Sequence, residues 1–327
     1  MTIANDAQQL IALGIDCQYS DLFFKPATSG WQLFGRSTAA TRLIDQLSVA
    51  HAQGLINYFK FNAQMDLSEH RRPQIGAWHY QTDHGTVDLR LASVGDYLNH
   101  ETLVIRLLVR QVTDGDFLFI NPQRYHELQA LLPQRGLFLF AGPTGSGKTT
   151  LMYHLAQELS QQQLVMTIED PTEIVVDQFT QLQVNDAAKM SYAELLKISL
   201  RLRPDILIIG EIRDTETAEM AVQAALSGHL VLATIHARTS GGVIQRMLGL
   251  GVSKSALLNA LTSCCYQRLL LTSMNQVKVI LDVLLPNQLV ELIEHPTSFL
   301  SHWQTDLKEA QRHGEITEHT FDQYQFG

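Results

Sequence analysis

Residues Gly142-Pro143-Thr144-Gly145-Ser146-Gly147-Lys148-Thr149 satisfy the pattern G-x-x-x-x-G-K-[ST], and Thr150 follows them. In such a loop the glycines let successive backbone N–H groups turn inward on phosphate oxygens. The lysine reaches the β and γ oxygens, and the threonine hydroxyl can ligate Mg2+. The loop sits behind the apolar run Leu137–Ala141 and before a helical pattern from Thr149 to Ser160. A helix starting there adds the positive end of its dipole to the same anion. The chemistry implied is binding of ATP with Mg2+ by residues Gly142 to Thr150, with Thr149 as one metal ligand.

Phosphoryl transfer to water needs a metal, a group that orients or deprotonates the water, and positive charge to meet the transition state. Ile206–Glu211 reads as a strand of Walker B type, with Gly210 where many ATPases carry Asp. That leaves Glu211 as the carboxylate for Mg2+ or its water. The segment Thr167-Ile-Glu-Asp-Pro-Thr-Glu173 adds Glu169, Asp170 and Glu173. Such acids repel one another unless a metal or basic groups gather there, the alternative being a solvated acidic turn. Pro171 stiffens that turn.

His229 and His236 flank the apolar run Leu230–Ile235. In an extended chain rising ~3.3 Å per residue they stand roughly 20 Å apart and cannot share one ion. His236, at a strand tip, is the candidate for sensing a γ-phosphate, and His229 is expected to be structural. Arg201, Arg203, Arg213, Arg246 and Arg268 decorate the second part of the chain. Arg90 and Arg106 are candidates for reaching the nucleotide across a domain or subunit boundary.

The elements that must position these groups alternate: Leu164–Ile168, a helix over Tyr192–Leu202, Ile206–Ile209, a helix over Thr215–Ser227, then Leu230–Ile235. Apolar runs alternating with helices imply an α/β domain whose parallel sheet is covered on both faces. Each run ends in a polar group suited to phosphate chemistry, and open parallel sheets bind ligands at that edge. Before about residue 110 the pattern is mixed. It has a strand-like Leu22–Phe24, a helix-like stretch from Ser37 toward Ala52, alternating segments at Ala77–Tyr80 and Val87–Leu91, and a strand at Leu103–Leu108. This reads as a smaller α+β domain over residues 1–112, a turn-rich linker at 113–121, then an ATPase domain over 122–327 that opens on a helix from Pro122 to Leu132.

Composition narrows the function classes. A length of 327 residues and 45% hydrophobic content support two cores, and a net charge of −9 argues against direct nucleic-acid binding. Three cysteines, two of them adjacent, offer neither a disulfide framework nor zinc ligands, so no zinc is expected. No basic leader and no run of ~20 apolar residues is present, which leaves a cytoplasmic chain that meets a membrane only peripherally, through a partner.

With those residues in hand, the chain resembles the type II secretion and type IV pilus traffic ATPases (GspE, PilB and PilT-like) over roughly residues 19–270. Gly142–Thr150 is similar to their Walker A box, Thr167–Glu173 to their Asp box, Leu200–Asp214 to their Walker B box and Gly228–His236 to their His box. Ser20-Asp21, Phe59-Lys60, Asp66, Glu69, Arg72–Gln74 and Gly76 are similar to their N-terminal module. Phe23 stands where the family often has His, and Ile75-Gly76-Ala77 where it often has Asp-Gly-Arg. The resemblance implies a RecA-like P-loop domain preceded by a PAS-like one. It implies Glu173 as general base, Glu211 serving magnesium and the lytic water, and His236 reading the γ-phosphate. It also implies a homohexamer on the inner face of the cell membrane, docked on a polytopic platform protein and acting on pseudopilins indirectly. The compact plan looks most like the competence pseudopilus ATPases of Gram-positive bacteria. A pilus-retraction or secretion motor and a non-hydrolysing nucleotide-gated scaffold are the alternatives. From about residue 275 the resemblance fades.

Overall fold

The computed structural model describes residues 2–17, 19–37, 40–82, 85–109, 118–185, 188–296 and 302–327. The chain divides into two compact units, Met1–Gln111 and Val112–Gly327.

The first unit contains α1 (Ile3–Asp16), β1 (Asp21–Ala27), β2 (Gly30–Arg36), β3 (Thr41–Leu47), α2 (Val49–Asn62), β4 (Gln74–Thr82), β5 (Gly85–Gly95) and β6 (Glu101–Val109). The strands form an antiparallel sheet in the order β3-β2-β1-β6-β5-β4. Strand alternation turns Leu89 and Leu91 of β5, with Leu103 and Ile105 of β6, toward one face. They meet Leu10 and Ile11 of α1 and Leu55, Ile56 and Phe59 of α2 there. At the margin of this core Lys60 and Glu101, both essentially without solvent exposure, pair at 2.7 Å. The Lys60 ammonium also donates to the Glu69 carbonyl at 2.7 Å, and the other Glu101 oxygen meets His70 Nδ1 at 2.9 Å.

The helix expected from Ser37 toward Ala52 is not there. Thr41–Leu47 is the edge strand β3, and the helix starts only at Val49, where the Ser48 hydroxyl accepts the His51 N–H. Leu43, Ile44 and Leu47 have helical spacing, but β3 is largely exposed, so it carries no period-two signal to compete. Part of the expected linker, residues 113–117, lies outside the described residues. The rest is anchored: Val279 N–H donates to the Leu118 carbonyl at 2.7 Å, and Ile120 N–H donates to the Val279 carbonyl at 2.9 Å.

The second unit begins with α3 (Pro122–Leu131), β7 (Gly136–Ala141), α4 (Lys148–Leu159), β8 (Val165–Glu169), β9 (Thr180–Gln183), α5 (Tyr192–Leu202) and β10 (Ile206–Ile212). It continues through α6 (Thr215–Leu226), β11 (Leu230–Ile235), α7 (Ser240–Gly249), α8 (Lys254–Ala260), β12 (Leu261–Leu271) and β13 (Val277–Leu284). Three helices follow: α9 (Pro286–Glu294), α10 (Trp303–Arg312) and α11 (Glu318–Tyr324). The sheet order is β13-β12-β7-β11-β10-β8-β9, parallel except for the antiparallel pairing of β13 with β12. Helices cover both faces. Phe138 and Phe140 of β7 pack with α3 and α4, while Leu137 and Leu139 pack with the core formed by α5 to α10. Cys264 and Cys265, adjacent on β12, fall into these two different cores for the same reason.

The stretch after residue 275, where the sequence says little, is integral to this unit. Trp303 is fully buried, packs edge-on against Tyr266 at 5.2 Å and donates its indole N–H to the Tyr324 carbonyl at 2.7 Å. Asp306 of α10, also buried, accepts from Asn121 at 2.8 Å and from Arg124 of α3 at 3.1 Å. Among the described residues no helix is long and apolar enough to cross a membrane.

Candidate active site

The sheet sets β7, β11, β10 and β8 side by side. Their C-terminal ends therefore present the phosphate loop, His236, Glu211 and Glu169 in one row. This is the convergence anticipated from the alternating pattern, and it arises because parallel strands all finish at the same edge.

The loop itself turns sharply as it leaves β7. Gly142 has φ of +146°, and a Cβ there would lie 2.4 Å from the Gln267 carbonyl oxygen and 2.7 Å from Ser146 Oγ. Only glycine fits against β12 at this point. Lys148 opens α4, and its ammonium donates to the carbonyls of Gly142 at 3.0 Å and Pro143 at 2.9 Å. Burial holds Lys148 below the ordinary lysine range, while the carboxylates of Glu173 and Glu211 pull it upward. Both acids thus lie within electrostatic reach of the ammonium.

Glu211, near the end of β10, has both carboxylate oxygens engaged. Oε1 meets His236 Nε2 at 2.6 Å and Oε2 accepts from Arg213 Nε at 2.5 Å. Beneath it Gly210 is constrained by a neighbour that sequence reasoning missed. A Cβ at Gly210 would come within 2.9 Å of Tyr192 Oη, 3.2 Å of Glu169 Cγ and 3.2 Å of the Ile168 carbonyl. The Tyr192 hydroxyl donates to that carbonyl at 2.8 Å and accepts the Glu211 N–H at 3.3 Å. Thr234 of β11 adds a bond to the Gly210 carbonyl at 2.5 Å. This crowded strand end has no room for a side chain at position 210.

Glu169 is placed differently from a carboxylate that faces substrate. It is buried, and its Oε1 accepts from the Tyr153 hydroxyl and from Thr167 Oγ1, the latter at 2.9 Å. The backbone of Glu173 favours the charged form of this carboxylate. Burial raises its pKa above the usual carboxylate range despite these bonds. Tyr153 belongs to α4 and in turn accepts from Gln181 of β9 at 2.8 Å. Glu169 therefore ties the helix of the phosphate loop to the acidic segment, whose Glu173 side chain is exposed. The signal for Tyr153 and Tyr192 is a tyrosine at a core position of an apolar helix, where the hydroxyl has to find a polar partner.

The remaining candidates fall elsewhere. His229 Nδ1 lies 2.9 Å from the Ala224 carbonyl, at the end of α6, as expected of a structural residue. Arg90 and Arg106 belong to the first unit, directly opposite each other on β5 and β6. They project from the face opposite that unit's core, and Arg106 is held by Asp21 at 2.9 Å. Gln267, which the sequence did not single out, donates from Nε2 to the Ser146 carbonyl at 2.7 Å.

A phosphate loop at a central parallel strand, with an acid and an imidazole on the two strands beyond it, defines a RecA-like P-loop ATPase. The chain belongs to the type II/IV secretion system protein family, whose shared pattern matches residues 2–313. It is 46% identical over 264 residues to competence protein ComGA of Streptococcus pneumoniae, covering 81% of this chain and 83% of that one. It is 40% identical over 219 residues to ComGA of Bacillus subtilis, covering 66% and 61% respectively. Among solved structures it is similar to the Legionella pneumophila ATPase DotB, with a TM-score of 0.77 and 20% identity over 99% of this chain and 95% of that one.

Proposed function

We propose that this ATPase is the motor of a competence pseudopilus, hydrolysing ATP as a homohexamer docked on a polytopic membrane platform protein at the inner face of the cell membrane. The observation that carries the reading is the Glu211–His236 contact beside the phosphate loop, an acid and a γ-phosphate sensor joined within the field of Lys148. The likeness to ComGA proteins supports the choice of machine.

In this reading the N–H groups of Thr144 to Thr150 hold the triphosphate, and Lys148 exchanges two neutral carbonyls for anionic oxygens, which bind an ammonium more strongly. The oxygen donors of Thr149 and Glu211 suit Mg2+, which when bound neutralises charge on the β and γ oxygens. Glu173 takes a proton from the attacking water as the bond from the γ-phosphorus to ADP breaks. Glu169 acts through its neighbours: it ties the helix bearing Tyr153 to the strand that leads into the acidic segment, and so positions the base. His236 leaves Glu211 for the γ-phosphate when nucleotide arrives. Arg90 and Arg106 offer cations for the nucleotide from outside the unit that carries the loop.

The test is phosphate release by the purified protein, in parallel with pseudopilus assembly in cells. Loss of both in Lys148→Ala and Glu211→Ala is expected. Normal turnover in either variant would overturn the assignment, and loss of turnover without an assembly defect would remove the pseudopilus from it.

A further inference from the structure

Two buried polar atoms under the phosphate loop have no partner among the described residues: Ser146 Oγ and Gln267 Oε1. One is a hydroxyl that can donate and the other an amide oxygen that can only accept, so they form a complementary pair left unmade. Buried groups of this kind carry a free-energy cost that a native fold normally avoids.

Gln267 is fully buried on β12. Strand alternation sends it to the same side as Cys265 and Leu269, which is the side on which α4 packs. There it touches the loop twice. Its backbone carbonyl fills the space that a Cβ on Gly142 would need, and its side-chain Nε2 donates to the Ser146 carbonyl at 2.7 Å. Meanwhile the loop is closed on itself, with Lys148 bonded to the Gly142 and Pro143 carbonyls. A triphosphate competes for that ammonium with formal negative charge. Once Lys148 turns to it, the two carbonyls are released and the backbone between Gly142 and Lys148 is free to shift.

We propose that Gln267 is a positioning residue with two settings. In the self-closed loop it holds only the Ser146 carbonyl. In the nucleotide-loaded loop it keeps that bond and also receives the Ser146 hydroxyl on Oε1, so the loaded loop is stabilised relative to the empty one. The proposal rests on reading the loop as the triphosphate site and adds a residue from β12 that sets its affinity.

A double-mutant cycle on the full-length protein tests it: wild type, Ser146→Ala, Gln267→Leu and the double variant, each titrated with a fluorescent ATP analogue and each unfolded in urea without nucleotide. The clamp predicts that each single change weakens nucleotide binding about tenfold and that the double variant is not much weaker than the worse single, a coupling worth about one factor of ten in Kd. In urea without nucleotide the same two changes should be additive, because the two atoms do not touch in the self-closed loop. Multiplying effects on Kd in a wild type that binds nucleotide would sink the clamp alone. A wild type that takes up no nucleotide would sink the site and the clamp with it. If Gln267→Leu does not fold, Gln267→Met carries the same cycle with a flexible apolar side chain.

Discussion

Glu211 and His236, carried by neighbouring parallel strands, meet at 2.6 Å with the imidazole more than half exposed and the carboxylate largely covered. The acid is therefore held largely out of water with its second oxygen on Arg213, while the histidine remains free to turn outward. Replacing His236 by Ala should leave the fold intact and lower kcat by about 10²-fold or more, in line with removal of one group that meets transition-state charge. Steady-state kinetics with a thermal melt of the same sample checks this. Unchanged kcat would assign the imidazole to packing alone.

Gly210 yields a prediction about stability. Alanine there puts a methyl group against Tyr192, Glu169 and the Ile168 carbonyl, none of which is a loose side-chain end. Gly210→Ala should cost about 1–3 kcal/mol by overpacking, read from urea unfolding. Pairing it with Tyr192→Phe, which removes the nearest of these atoms, should recover part of the loss.

Glu169 sets a pH dependence. Burial raises its folded pKa above the ordinary glutamate value of about 4.5, so the folded state binds its proton more tightly than the unfolded chain does. Stability from this group is full below pH ~4.5 and falls as pH rises through the raised value. Glu169→Gln keeps an acceptor for Tyr153 and Thr167 and removes the charge. It should flatten the decline of stability from mildly acidic to neutral pH, and melting temperatures measured across that interval for both proteins decide the matter.

Lys60 and Glu101 form the buried pair of the first unit. Lys60→Met alone strands a carboxylate away from water and should cost about 3–5 kcal/mol, whereas Lys60→Met with Glu101→Leu should recover most of that. Chemical denaturation of the single and double variants separates the two outcomes.

Trp303 tests the importance of the last helices. Trp303→Ala removes a fully buried ring together with its bond to the Tyr324 carbonyl, and should destabilise the second unit by about 3–5 kcal/mol. A smaller loss would mean that α10 is only loosely docked.

Much of this molecule is legible before any coordinates. The central strands are short apolar runs bounded by glycines and acids, and a sheet buried on both faces demands such runs. Residues at their ends could be gathered into one site because parallel strands share an edge. Legibility fails where the signal is shared between elements. β3 looks like a helix because an edge strand open to water need not alternate. Tyr153, Tyr192 and Gln267 look like core residues because their role lies in one polar atom aimed at a neighbour distant in sequence. Glu169 reads as one more strand-end acid, and only packing shows that it faces inward. The helices after residue 286 dock through partners far away in the chain, such as Trp303 with Tyr266 and Asp306 with Arg124, for which no local pattern exists.

The strand that delivers the phosphate loop is bordered by β11 and β12, both encoded far downstream of it. During synthesis β7 leaves the ribosome with neither neighbour available, and pairings so distant in sequence are slow to form. Nucleotide cannot act as an early template for this domain. A nascent chain arrested before residue 261 should be unable to retain ATP, so the capacity to burn fuel is acquired only once β12 has been made.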